Sequence, residues 1–276
     1  MMMNTAGAHP GAMIPGPEMG PQPARQATPI PEAARLNCFA RPAGPPAPAR
    51  GWVDRWRGTL AADGLRLTPL QRRSLARLLP LLVCGEQSAV AVFQGAAQRR
   101  DRPAREMVDA FARIERDELG HEAVWQSLYG VLPRPADLGP LKRRAALFFA
   151  RLGRTRTPAE HFAKVSQLDS AVGIIMWHLE HSDAARDPLI EAAAQRIKRD
   201  EARHVAISRR YAAALGMPRA EAARLGEQIR GELVALLQPA ALDLEGLGID
   251  PDALFRRIAV ERPAGAIATG RVYAIS

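Results

Sequence analysis

Two nine-residue segments of this chain are nearly identical, and each lies in a region of helical periodicity. RIERDELGH begins at Arg113 and RIKRDEARH begins at Arg196, so the offset is 83 residues and six of the nine letters agree. Each segment contains a glutamate followed three residues later by a histidine, a spacing that places both side chains on one helix face. The repeat therefore predicts two equivalent helices that carry equivalent polar groups.

Helix-start signals are frequent, whereas no segment shows the alternating β-branched pattern of a strand. We therefore predict an all-α fold with two long helical hairpins, a four-helix bundle with additional short C-terminal helices. The signals for the long helices are the capping sequences at Thr68–Gln71 and Thr157–Glu160, Pro103, Asp187-Pro188, and the terminal glycines Gly130 and Gly216. Shorter helices are predicted near residues 138–152, 218–237 and 251–260.

The repeated Glu and His side chains lie within apolar stripes, which face the core of a helical protein. Buried carboxylates need partners that neutralise their charge. Folding each hairpin about its turn brings Glu86 opposite Glu118 and Asp169 opposite Glu201, and the pair Glu86 and Asp169 has the same offset of 83 residues. The sequence thus predicts a cluster of six residues: Glu86, Glu118, His121, Asp169, Glu201 and His204.

Four carboxylates and two neutral imidazoles balance the charge of two divalent metal ions. Oxygen-rich ligands with one imidazole for each metal favour iron or manganese, and the absence of thiolates disfavours structural zinc. A buried lattice of acids with arginines, or unrelated surface acids, is the alternative. Glu180 competes with Asp169 for the fourth carboxylate, but it lies eleven residues further on, about 16 Å along the helix axis.

Both halves resemble the paired motifs of the ferritin-like di-iron carboxylate superfamily, over roughly residues 68–215. Asp169 and Asp200-Glu201-Ala202-Arg203-His204 fit the second motif, whereas Gly120 replaces the arginine of the first. The resemblance implies that Glu118 and Glu201 bridge the metals and take part in catalysis. It implies that the histidines, Glu86 and Asp169 are terminal ligands, and that Asp117 and Asp200 hold the second ring nitrogens of the histidines.

The resemblance also implies a function: an oxygenase or oxidase with two iron ions, or one iron and one manganese. Its partners would be O₂, a small organic substrate and an external electron donor or reductase. The alternative is a ferroxidase or storage protein without an organic substrate. Trp125 stands where a radical-generating relative has tyrosine, and Ile197 stands where arylamine N-oxygenases have an added histidine.

Other inward positions leave their roles open. Glu115 and Lys198 are equivalent in the repeat and either pair across the bundle or remain solvated. Four residues continue the inward faces beyond the metal ligands and fit either core packing or a substrate pocket, in which a glycine would leave space: Val90, Phe93, Gly173 and Met176.

Composition limits the remaining classes. The net charge of +9 comes from arginines spread along the chain, and aromatic residues are only 5%, so we predict no nucleic-acid partner. We expect neither a signal peptide nor membrane attachment, and two cysteines without a disulfide framework favour a reduced, cytoplasmic setting. We expect a disordered Pro-rich segment at 1–50, a helical domain at 51–261 and a tail at 262–276, and a homodimer is allowed.

Overall fold

The computed structural model describes residues 35–39, 51–97 and 105–260, without the side chains of 91–107. The described part is helical and contains no β-strand. The predicted disorder of 1–50 therefore lies outside these residues except at 35–39, and the predicted tail lies wholly outside them. The helices are α1 (Gly51–Asp63), α2 (Pro69–Ala97), α3 (Arg105–Val131), α4 (Leu138–Leu152), α5 (Pro158–Glu180), α6 (Pro188–Ala214), α7 (Arg219–Leu237), α8 (Ala241–Gly246) and α9 (Pro251–Ala259).

The long helices begin at the capping sequences. The Thr68 hydroxyl accepts from Gln71 N at 3.2 Å, and the Gln71 side chain accepts from Thr68 N at 2.9 Å, which forms a reciprocal capping box at the start of α2. The Asp187 carboxylate accepts from the backbone N–H groups of Leu189 and Ile190 at the start of α6. Local sequence therefore determines where these helices begin. The predicted start at Pro103 lies outside the described residues.

Two helices were not predicted from sequence. α1 and α8 carry weak local signals and are stabilised by packing: α1 buries Val53, Trp56 and Leu60, and α8 buries Leu244. The other boundaries agree closely with the prediction. α6 ends two residues before Gly216, whose φ of 82° is a conformation that favours glycine.

The long helices pack in two pairs, α2 along α3 and α5 along α6, and α3 also contacts α6. The short helices cover one side of this arrangement. α4 packs on α2 and α7, α7 packs on α5, α8 lies against α2, and α9 contacts α5 and α7. The core between them is mainly leucine, isoleucine, valine and alanine.

The described residues before α1, 35–39, are bonded to α2 and α3. Cys38 forms a disulfide with Cys84 of α2 across a separation of 46 residues, so the expectation of reduced cysteines is wrong. The sequence did not indicate this disulfide, because the two cysteines are far apart in the chain and are brought together only by the way the segment lies across the bundle. The carbonyl of Leu36 accepts from Gln87 Nε2 at 3.0 Å and Gln126 Nε2 at 2.7 Å.

None of the helices in the described ranges combines the length and apolar character needed to cross a membrane.

Candidate metal centre

The six predicted residues converge in the middle of the four long helices. Glu86 comes from α2, Glu118 and His121 from α3, Asp169 from α5, and Glu201 and His204 from α6; all six are buried. They form two overlapping groups in which one ligating atom from each residue lies within 4.8 Å of the others. The first group is Glu86, Glu118, His121 and Glu201, and the second is Asp169, Glu201 and His204.

Glu118 and Glu201 each reach both histidines. Glu118 places one oxygen 3.7 Å from His121 Nδ1 and the other 3.1 Å from His204 Nδ1. Glu201 does the same at 3.6 Å and 3.7 Å. Glu86 is 3.5 Å from His121 Nδ1. The two central carboxylates thus lie between the two imidazoles, where a bridging ligand would stand.

The opposite nitrogen of each imidazole contacts an aspartate from the other motif. His121 Nε2 is 3.2 Å from Asp200 Oδ2, and His204 Nε2 is 3.4 Å from Asp117 Oδ2. Arg203 joins the two acids, at 2.5 Å from Asp117 and 2.7 Å from Asp200. An ionised aspartate accepts a hydrogen bond from Nε2–H, so this contact favours the tautomer whose Nδ1 carries a lone pair.

Gly120, which replaces the motif arginine in the first half, lies beside α1. A Cβ at this position would make ordinary van der Waals contact with Trp52 at 3.6 Å and Val53 at 3.7 Å, so α1 packs directly on this glycine. Arg203, from the second half, contacts both aspartates.

Trp125 is a site residue outside the six that the sequence predicts. Its indole N–H donates to Glu86 Oε1 at 2.9 Å. The available signal was its position four residues after His121, one turn along the same helix face. Its counterpart in the repeat, 83 residues later, is Ser208, whose buried hydroxyl makes no hydrogen bond. The two halves of the site therefore differ: Glu86 has an indole partner, and Asp169 Oδ2 has none.

Burial and crowding control the charge of the cluster. Burial raises the pKa of Glu86 and of Asp169 well above their ordinary values, and it raises the pKa of Glu201. Burial also opposes ionisation of Glu118, but the closeness of both imidazoles outweighs it and lowers that pKa. For both histidines, burial favours the neutral ring, yet the surrounding carboxylates raise the pKa. Without cations the cluster must hold protons, because four buried negative charges cannot stand together.

The buried residues could hold a metal ion. Nδ1 of His121 and Nδ1 of His204 are buried and make no hydrogen bond of acceptable geometry, and the same is true of Asp169 Oδ2. All three residues belong to the two groups. Buried polar atoms without hydrogen bonds are rare. Inward-facing nitrogen lone pairs among carboxylate oxygens are suitable metal ligands, and a metal ion that binds them displaces the protons they would otherwise hold.

An apolar cavity adjoins the cluster. Glu86, Glu118, Asp169 and Glu201 are part of its wall, and the rest of the described lining is apolar. Met176 lines the cavity, in agreement with the alternative that it contributes to a pocket. Gly173 does not line the cavity, and a Cβ on Gly173 would face Glu201 Cβ at 4.0 Å. Gly173 thus lies at the contact between α5 and α6. Val90 is partly buried and outside the wall, and the Phe93 side chain lies outside the described residues.

The competing acid Glu180 and the histidine His181 lie outside the cluster. Glu180 forms an ion pair with Lys198, so the Lys198 side chain is paired rather than solvated alone. His181 follows the end of α5, where its ring stacks on Trp177 with centroids 4.2 Å apart. Asp169, rather than Glu180, joins the cluster. The convergence of the six residues is a finding about geometry, and their role as ligands stays a prediction.

Comparison of this chain with protein-family models, with curated proteins and with solved structures finds no match.

Proposed function

We propose that this protein is a di-metal oxidoreductase of the ferritin-like type, which uses two iron ions, or one iron and one manganese, to activate O₂ and oxidise a small organic substrate. The observation that carries the proposal is the position of Glu118 and Glu201 between two inward-facing imidazole nitrogens. A salt-bridge lattice does not account for it, because Arg203 contacts only the outer aspartates Asp117 and Asp200.

In this proposal Glu118 and Glu201 would be shared by the two metals. Glu86 and His121 would complete one ligand set, and Asp169 and His204 would complete the other. Four carboxylates neutralise two divalent ions, so the buried centre has no net charge, and this oxygen-rich set suits iron and manganese. The source of the ligands also fits: in di-iron bundles two helices each supply one Glu and two others each supply Glu-x-x-His. Here the acids come from α2 and α5, and the motifs from α3 and α6.

The protein orients the histidine ligands and excludes water from the reaction site. Bound iron supplies the capacity to bind and reduce O₂. Asp200 and Asp117 hold the histidine rings through Nε2, and Arg203 holds both acids, which keeps each Nδ1 directed inward. The apolar wall excludes water from one side of the centre. A hydroxylation consumes substrate, O₂, two electrons and two protons and yields alcohol and water, so an external donor must supply the electrons.

The cavity favours an organic substrate over iron handling. Fe²⁺ is strongly hydrated, and a route for it needs oxygen ligands along the way. In the described part of the wall the only polar side chains are the four carboxylates of the centre itself. A path lined by leucine therefore suits an apolar molecule better than a cation.

Metal analysis followed by measurement of O₂ consumption tests the proposal. Full-length protein reconstituted with Fe²⁺ without oxygen should hold about two iron ions per chain. Rapid mixing with O₂ should give a transient absorbance, and excess Fe²⁺ should produce no mineral core. His204→Ala should lose metal, whereas His161→Ala, which changes a buried histidine outside the two ligand groups, should retain it. A single tightly bound zinc, or growth of a mineral core, would refute the proposal.

A further inference from the structure

We propose that the cavity beside the metal centre binds an aliphatic chain, so that the substrate is a hydrocarbon or the hydrocarbon portion of a larger molecule. The inference names the substrate class of the proposed function and rests on it for the reaction. Binding of the chain itself depends only on the cavity. The cavity and its open mouth together contain about 1010 Å³ of empty space.

The lining selects against polar ligands. Apart from the four carboxylates of the centre, its described side chains are leucine, isoleucine, valine, methionine, alanine, glycine and phenylalanine, and twelve are leucines. The wall therefore offers no hydroxyl, amide, lysine or arginine to a polar substituent. Because burying an unpaired polar group is unfavourable, a sugar, a nucleotide or an amino acid would lose more by desolvation than it gained.

The cavity is elongated along the helices. On α5 its lining runs from Leu168 to Leu179, about 16 Å, and on α2 it runs from Leu75 to Ala89, about 21 Å. Each span includes one of the proposed metal ligands and follows one side of a helix. A compact ring would fill only part of such a space, whereas an extended chain can contact the wall along its length.

The short C-terminal helices form the wall away from the metals. Leu233 of α7, Leu244 of α8 and Leu254 of α9 line the cavity. α8 ends beside the start of α2, since a Cβ on Gly246 would touch the Ser74 side chain. These helices lie outside the four that carry the ligands, so their leucines set how long a chain the cavity accepts.

Calorimetric titration of metal-free, full-length protein with straight-chain alcohols from hexanol to tetradecanol tests the proposal. Affinity should rise about fourfold for each added methylene, because each buries a similar apolar area, and should stop rising once the cavity is full. The heat-capacity change of binding should be negative. Affinity that does not depend on chain length would overturn the proposal.

Two neighbouring isoleucines of α5 provide a matched pair of variants. Ile175 lines the cavity, whereas Ile174 packs against the core outside it. Ile175→Phe should end the rise in affinity at a shorter alcohol, and Ile174→Phe should follow the wild type. Val172→Leu, a smaller change in the same wall, should shorten the limit by one or two methylenes and serves if Ile175→Phe does not fold. Equal behaviour of the lining and control variants would contradict the proposal.

Iron content, measured separately, distinguishes the two hypotheses. A protein that binds alcohols by this rule but holds no iron refutes the proposed oxidoreductase and supports the chain-binding cavity. A protein that holds two iron ions but binds alcohols without length dependence refutes the chain-binding cavity and supports the proposed oxidoreductase.

Discussion

His204 is held by Asp117 of the other repeat: its Nε2 lies 3.4 Å from the Asp117 carboxylate on α3. The reciprocal contact joins His121 of α3 to Asp200 of α6 at 3.2 Å. Each histidine is thus oriented by the helix that faces it, so the two halves of the centre cannot form independently. Arg203 contacts both aspartates and links the two contacts.

Removing Arg203 should weaken metal binding. Arg203→Ala removes the guanidinium that joins Asp117 to Asp200, while Asp200 keeps its contact with Arg196 at 3.0 Å. Loss of such outer contacts typically reduces metal affinity about 10- to 100-fold. Competition with a chromophoric chelator measures the change. Arg199→Ala is the control, because Arg199 is exposed one turn earlier on α6, where its guanidinium hydrogen-bonds the Gln195 carbonyl. Equal affinity in the two variants would contradict the role given to Arg203.

Trp125→Phe should affect one metal more than the other. It keeps an aromatic ring but removes the hydrogen bond to Glu86, worth about 1 kcal/mol, or about fivefold in affinity. Stepwise titration with Fe²⁺ should show one binding step weakened and the other unchanged. Trp56→Phe is the control: it removes an indole hydrogen bond to the Leu189 carbonyl, away from the centre, and should leave both steps as in the wild type. Equal weakening of both steps would argue against the asymmetry.

Cys38→Ser should lower the free energy of unfolding by about 2 to 4 kcal/mol. The disulfide closes a loop of 46 residues and so restricts the unfolded chain. Urea unfolding of the wild type, with and without reductant, measures this contribution. Reductant should bring the wild type to the stability of the variant and have no effect on the variant. A reductant effect of the same size in Cys38→Ser would exclude the disulfide as its cause.

Glu160 should stabilise α5 in a pH-dependent way. Burial opposes ionisation of Glu160, but hydrogen bonds from the Arg156 backbone and side chain and from Lys164 lower its pKa from 4.5 to about 2. The folded pKa is depressed, so the stabilisation is complete above about pH 4.5 and is lost as the pH falls toward 2. Glu160→Gln should therefore be less stable than the wild type at pH 7, by about 1 kcal/mol.

Thermal unfolding of the two proteins across this range tests the Glu160 prediction. The difference between them should shrink as the pH falls below 4.5, and the comparison cancels the titration of the buried centre. A difference that is constant from pH 7 to pH 2.5 would show that Glu160 acts through packing rather than charge.

Much of the fold could be predicted because its signals are local. Thr68 and Asp187 cap helices through contacts within three residues, and these contacts depend only on the adjacent sequence. The offset of 83 residues paired Glu86 with Asp169, because equal hairpins bring equivalent positions to equivalent places. α1 and α8 were not predicted, since they are held by packing against surfaces that no local pattern describes.

The sequence by itself determined the four long helices, the faces that carry acids and histidines, and the membership of the buried cluster. These features follow from periodicity and spacing, which can be recognised within one segment of the chain or between the two segments related by the repeat. Tertiary structure alone established the crossed contacts of Asp117 and Asp200, the Cys38–Cys84 disulfide and the leucine wall supplied by α7 to α9. Each of these joins side chains distant in sequence, and their proximity depends on the relative position of whole helices, which no local signal encodes.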